Sequence, residues 1–324
     1  MILQRMSLKP ACDYLVYVAV RLLICVIQAL PIRLCDQLAR ALAYLAHDIL
    51  QIRGSLLEEN LRHAFPEMSA EKRWKLGRRS WRHLCLMVFE IAHAPRKIHD
   101  TTWRNYVHIH NAADHINAVM QRRPVVMLLG HFGNFEMLGY MAGILGYPTN
   151  TVARPLDNPY LHEYLMKFRR ATGQFILPKN GSAPLIAKVM EANGTLALLC
   201  DQNAGVKGCW VEFFNRPAAY HKAIALFSMT TDAPVLFTYL RRTDGIMQFE
   251  MGIEGIYDPR NVDSPLGIQE MTQWYNDLLE RVVKRDPEQY WWLHNRWKDD
   301  RPREKERRAR RLAKQRSAPE RKAA

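Results

Sequence analysis

Short apolar runs bounded by chain-breaking residues recur from residue 125 to residue 253. Val125–Leu129 lies between Pro124 and Gly130, and Thr195–Cys200 follows the turn dipeptide Asn193-Gly194. Pro234–Leu240 and Met247–Ile253 have the same character, and Asn150–Ala153 is a further candidate. Segments of helical period separate or follow them: Phe135–Leu145, Tyr160–Ala171, Ala183–Ala192, Ala219–Thr231 and Ile268–Val283. Apolar runs without polar alternation are strands covered on both faces. Such strands alternating with helices predict an α/β domain around a buried sheet.

The first hundred residues read differently. Tyr14–Ile32 is apolar with Arg21 as its one charge. A spanning helix needs about 20 apolar residues. A central Arg costs about 2.5–3.5 kcal/mol on insertion scales, which the surrounding Leu, Val and Ile offset. The late start and the lack of a small-residue cleavage site argue against a removed signal peptide. A spanning anchor, a helix in the membrane interface and a buried core helix remain open. Leu34–Leu50 has helical spacing. Ser55-Leu-Leu-Glu58 has the form of a capping box, and Pro66 stops that helix. Ser69 caps the next segment, periodic from Trp74 to Ala92, with Pro95 as its end. The expected organisation is an anchor over residues 1–33, a catalytic domain over 34–298 and a basic tail over 299–324.

The net charge of +14 suggests a polyanionic partner. From Lys298 to Ala324 there are twelve Lys/Arg against five Asp/Glu, which is half of the excess. A nucleic-acid surface across the whole domain is therefore not required, and no aromatic-basic recognition motif appears in the body. The tail is too charged to fold alone and could lie on anionic lipid. The six cysteines form no C-x-x-C pair, so buried thiols are expected rather than a zinc site or disulfide framework.

Gly130-His131-Phe132-Gly133-Asn134-Phe135-Glu136 stands just after a buried strand and just before a helix. That is where α/β sheets place their ligands. A His there can act as general base, and a nearby carboxylate can hold its tautomer. Residues five apart on a regular helix lie about 140° out of line, so His131 and Glu136 meet only if the chain turns at Gly133.

This block resembles the lysophospholipid acyltransferase superfamily, and specifically its lipid A late acyltransferases. Other segments resemble that family in order. They are Glu58-Glu-Asn-Leu-Arg-His-Ala-Phe-Pro66, Arg154-Pro155, Leu199-Cys-Asp-Gln-Asn203, Phe213-Phe-Asn-Arg-Pro-Ala218, Ala233-Pro-Val235 and Gln289-Tyr-Trp-Trp-Leu-His-Asn-Arg-Trp-Lys298. The chain departs from the pattern at Asn295, where Arg is common, and at Asn215, where Gly often follows the two Phe.

The resemblance implies a mixed central sheet flanked by helices, of glycerol-phosphate-acyltransferase type. It also implies a membrane-bound O-acyltransferase moving a fatty acyl chain from an acyl carrier protein thioester to a hydroxyl of a lipid A precursor. The alternative is an acyl-CoA-dependent enzyme acting on another lipid. His131 would be the base and Glu136 its orienting carboxylate, with no acyl-enzyme, metal or cofactor. Arg154 is expected to contact acceptor phosphate or donor phosphopantetheine. Asp201, Gln202 and Asn203 would belong to the substrate site, with Asp201 shaping it or holding Arg154. Arg216 and Arg296 would meet acidic head groups or pair on the surface. His294 reads as structural. Among Trp291, Trp292 and Trp297, one is expected in the core and one against the membrane. The implied location is the bacterial inner membrane, on its cytoplasmic side, with acyl carrier protein and the anionic lipid surface as partners.

Overall fold

The computed structural model describes residues 9–120 and 122–298, so the basic tail lies outside the described residues. Four helices come first: α1 (Lys9–Ala29), α2 (Ile32–Tyr44), α3 (Gly54–Ala64) and α4 (Ala70–Lys97). A π-helical turn at Leu45–Ile49 extends α2. Ser69 caps α4 as expected, accepting from the Lys72 N–H. Ser55 does not cap α3. Arg53 precedes that helix in the left-handed region, at φ 54°, without a side-chain cap. Pro95 lies inside the last turn of α4 rather than ending it. A proline there forfeits one helical bond. The turn survives because the Ile98 N–H still reaches the Ala94 carbonyl, and both residues are buried.

Then follow β1 (Val107–Ile109), α5 (Ala112–Met120), β2 (Val125–Leu129), α6 (Phe135–Ile144), β3 (Thr149–Ala153), α7 (Pro159–Arg170) and β4 (Gln174–Pro178). The chain continues through α8 (Ala183–Glu191), β5 (Thr195–Leu199), β6 (Cys209–Phe213), β7 (Arg216–Tyr220), α9 (Ala223–Thr231), β8 (Val235–Arg242), β9 (Phe249–Tyr257) and α10 (Ile268–Arg285). Seven strands form one sheet in the order β1-β9-β8-β2-β5-β3-β4, all neighbours parallel except β8 and β9. The mixed central sheet expected from the sequence is therefore present.

β6 and β7 make a separate antiparallel hairpin. Residues 219 and 220, read as helical, belong to it. Phe214 and Asn215 turn the hairpin at φ 50° and 57°. Asn tolerates that region better than most residues, so Asn215 fills the place of the family's usual Gly.

β2 sits mid-sheet and is buried at every position. Its even residues, Val126 and Leu128, pack with Ile186, Ile224 and Leu279 on one face. Its odd residues, Met127 and Leu129, pack with Met137, Leu138 and Met141 of α6 on the other. Each such side chain contributes about 1.5–3 kcal/mol on full burial. β2 and β5 run parallel in register from Val125↔Thr195 to Leu129↔Leu199. The residues just beyond their carboxyl ends are thus brought side by side.

The segment read as an anchor forms α1, which lies along the domain and not in its core. The Asn158 side chain donates to the Asp13 carbonyl at 2.7 Å, and the Arg21 guanidinium lies 4.5 Å over the Tyr164 ring. At the other end, Gln28 donates to the Ala92 carbonyl at 2.7 Å. Leu15, Val16, Leu22, Leu23 and Val26 are exposed. By length and composition α1 could cross a membrane.

Candidate active site

His131 lies two residues past β2, and Asp201 two residues past β5. Because Leu129 pairs with Leu199, the two meet directly. Asp201 Oδ1 stands 2.7 Å from His131 Nδ1, and Oδ2 accepts the His131 backbone N–H at 2.9 Å. A carboxylate only accepts, so Asp201 places the ring proton on Nδ1 and leaves Nε2 as the basic lone pair. Burial disfavours the His131 cation. The charge and hydrogen bond of Asp201, with a smaller pull from Glu136, outweigh it and raise the imidazole above its ordinary value of 6.5. Burial likewise pushes the Asp201 carboxyl up, but His131 outweighs it and holds Asp201 down at about 2.

The carboxylate in contact with His131 is therefore Asp201, whereas Glu136 was the partner expected from the sequence. Gly133 does supply the turn, at φ 60°. Glu136 nevertheless sits in the first turn of α6 and faces α7. Arg169 grips it through two donors, Nη2 to Oε1 at 2.6 Å and Nε to Oε2 at 3.2 Å. The Glu136 charge adds a small upward pull to the His131 imidazole. Arg169 carried no signal in the sequence beyond the basic end of a helix. Asp201 did carry one, a polar residue after a second buried strand.

A cavity of about 520 Å³ is lined by Glu136 and Arg169, though not by His131 or Asp201 themselves. Met127, Leu129, Leu138, Ala197 and Leu199 give it apolar walls, while Glu136, Arg169, Gln202 and Arg154 supply polar ones. Phe135 lines it as well and meets the His131 ring edge-on, with centroids 4.9 Å apart. Trp291 flanks His131 at 5.1 Å, also edge-on, and His294 stacks at 6.5 Å. Among the described residues no group of three His, Cys, Asp or Glu could hold a metal ion.

The other expected site residues divide. Gln202 faces the cavity. Arg154 lines it too, but is largely exposed and paired with Asp157 three residues on. Asp201 does not hold it. Asn203 is used up by a turn, accepting from the Gly205 N–H at 2.6 Å and donating to the Lys298 carbonyl at 2.7 Å. Arg216 stands in the hairpin 3.8 Å from Glu59. Arg296 is no head-group contact. It is 1 % exposed, lies 3.9 Å over the Tyr220 ring and donates to the Ala219 carbonyl. Residues 289–298 thread beneath the hairpin, which buries the whole side chain. Trp292 and Trp297 are core, while Trp291 stays half-exposed beside His131. Cys12 and Cys25 are exposed rather than buried; Cys35, Cys200 and Cys209 are enclosed.

This closing segment also straps the His131 loop. The Trp291 N–H donates to the His131 carbonyl at 3.0 Å, and the Gly133 N–H donates to the Gln289 carbonyl at 2.9 Å. Asn60 in turn holds the strap, donating to the Trp292 and His294 carbonyls at 2.7 and 3.0 Å.

Residues 5–299 match the model of the bacterial lipid A biosynthesis acyltransferase family. The lipid A biosynthesis lauroyltransferase of Escherichia coli is 26% identical over 294 residues, covering 88% of this chain and 92% of the relative. The palmitoleoyltransferase of the same organism is 24% identical over 275 residues, covering 83% and 86%. A solved structure, the 1-acyl-sn-glycerophosphate acyltransferase PlsC from Thermotoga maritima, aligns over 79% of this chain and 97% of its own. Its TM-score is 0.38 and its identity 11%.

Proposed function

Because the chain belongs to the bacterial lipid A biosynthesis acyltransferase family and is an O-acyltransferase of that pathway, we propose that His131 performs the transfer as a general base oriented by Asp201. The donor is an acyl carrier protein thioester and the acceptor a hydroxyl of a lipid A precursor. The observation that carries this reading is the two-point contact of Asp201 with the His131 ring and backbone.

His131 Nε2 takes the acceptor's proton as the hydroxyl oxygen bonds to the thioester carbonyl carbon. The carbon–sulfur bond then breaks, and the imidazolium returns the proton to the departing thiolate. An ester and a free thiol result, without an acyl-enzyme. The apolar cavity suits the fatty chain. Arg169, held by Glu136, adds a fixed cation beside it for an anionic part of donor or acceptor.

The same reading puts the protein on the inner membrane, with α1 in the interface. Both ends of α1 are tied to the domain, while its exposed apolar stripe continues into Leu34, Leu38 and Leu42 of α2. An interfacial helix buries one face and leaves the other to protein and water.

His131→Ala should lower transfer by about 10²–10⁴-fold while the protein stays folded. The assay is acyl transfer to a lipid A precursor, run with acyl carrier protein and coenzyme A thioesters in parallel. Near-normal turnover by the variant would refute the base assignment, and a preference for the coenzyme A thioester would refute the donor.

A further inference from the structure

Against the Gly133–Asn134 turn lies a buried polar cluster, none of whose residues lines the cavity and to which nothing above assigns a part. Glu90 and His83 project from α4, two turns apart on one face. Glu90 is 0 % exposed and Arg242, the last residue of β8, 8 %. Glu90 accepts from Arg242 Nε at 2.5 Å and Nη2 at 2.7 Å, from Asn134 Nδ2 at 2.9 Å and from the Met247 N–H at 3.3 Å. Arg242 Nη1 donates to His83 Nδ1 at 2.8 Å. Arginine only donates, so His83 is neutral with its proton on Nε2. That proton reaches the Gly133 carbonyl at 3.2 Å. Burial first, and then the charge of Arg242, hold the His83 imidazole well below its ordinary range.

Two of these links, from His83 and from Glu90, end on the neighbouring residues Gly133 and Asn134. The Asn134 N–H donates to the Leu240 carbonyl at 2.8 Å, and its Oδ1 caps α6 through the Met137 N–H at 3.3 Å. Gly133 approaches β8 so closely that a Cβ would stand 2.0 Å from the Leu240 oxygen. These two residues connect His131 to the helix that carries Glu136. A buried ion pair is weak evidence for stability, since apolar replacements of similar volume are often neutral or better. Its value here is geometric.

We infer that Glu90, Arg242 and His83 are positioning residues that set the Gly133–Asn134 turn and thereby aim His131 at Asp201. The inference rests on the general-base reading above.

The test compares the full-length protein with Glu90→Met/Arg242→Met, which removes both buried charges together, and with His83→Ala, which leaves the ion pair in place. A displacement of about 1 Å in a reacting group can cost about 10²-fold. The double variant should lose about that much kcat with KM unchanged, and His83→Ala about tenfold. The acid limb of the rate profile should also move to lower pH, because a ring turned from Asp201 loses what raises its pKa. Besides Asp201, the charged or titratable groups bearing on His131 are Glu136 on α6 and His294 on the closing segment, while Arg296 bears on Asp201, and all three remain. A purely structural cluster would reduce the folded fraction without moving that limb.

The His131 ring is also titrated by NMR in each protein, independently of any activity. A lower midpoint in the variants supports the inference even if the wild-type protein transfers no acyl group, a result that would sink the proposed function alone. An unmoved midpoint with kcat unchanged per folded molecule overturns it. Should the double variant fail to fold, His83→Ala decides by the same two readouts.

Discussion

The two sides of the Gly130–Glu136 block are held in opposite ways. Towards the core, His131 has its ring, N–H and carbonyl all engaged, by Asp201 and the Trp291 N–H, within buried surroundings. Towards the cavity mouth, Arg154 keeps one partner, Asp157, and both side chains are mostly in water. Polar contacts are strong and directional where water is excluded, and weak where it competes. The difference teaches that the folded chain itself fixes the geometry around His131 and leaves Arg154 room to move. The exposed Arg154–Asp157 pair is held only weakly in place.

The largest break in this contrast comes from Asp201→Asn. An amide that donates to Nδ1 forces the ring proton onto Nε2, the wrong tautomer for a base. The expected loss in kcat is about 10²–10⁴-fold. A general base at His131 must be neutral to act, and Asp201 raises the pKa of that ring. In the native enzyme, activity should therefore fall away, as pH drops, at a value above 6.5. In the variant the residual activity should fall at a lower pH. An acid limb of kcat/KM that stays in place would show that Asp201 does not set the base.

An intermediate effect belongs to Arg169, part-buried between the two regimes. A charge-assisted hydrogen bond contributes about 1.5–3 kcal/mol, so Arg169→Ala should lower kcat/KM by about 10–100-fold. Arg169→Lys should recover only part, because a point charge does not reproduce the two-donor grip on Glu136. Full recovery by Lys in steady-state kinetics would mean that the grip is irrelevant.

The smallest effect is expected at the rim. An exposed ion pair is worth about 0–1 kcal/mol, so Arg154→Ala should change KM by less than about fivefold. A larger rise in KM for one substrate alone would show that Arg154 leaves Asp157 to bind an anion. The contrast between floor and rim would then be too sharp as drawn.

Much of the fold could be read along the chain because its signals are local. The apolar runs at 125–129 and 195–200 read as buried strands, and both form strands; β2 is buried throughout, whereas β5 is half-buried where Leu198 and Leu199 line the cavity. The block from Gly130 to Glu136 marked the strand-to-helix junction where the site lies. The hairpin at 209–220 was not legible, since its pairing depends on a turn at two unusual φ values and on packing under α10.

What the sequence determined by itself was the chemistry available: a His at a strand's carboxyl end, carboxylates near it in sequence, a long apolar helix and the family pattern. Which carboxylate meets the His131 ring was decided only in three dimensions. Glu136 lies five residues from His131 and Asp201 seventy, yet the parallel register of β2 and β5 puts Asp201 at 2.7 Å and turns Glu136 to Arg169. Arg296 was likewise expected at acidic head groups or in a surface pair, whereas the closing segment, threaded under the hairpin, buries it. Sequence spacing fixes what can meet along one element. Contacts between elements follow from strand register and from which faces must leave water, and neither is written in local spacing.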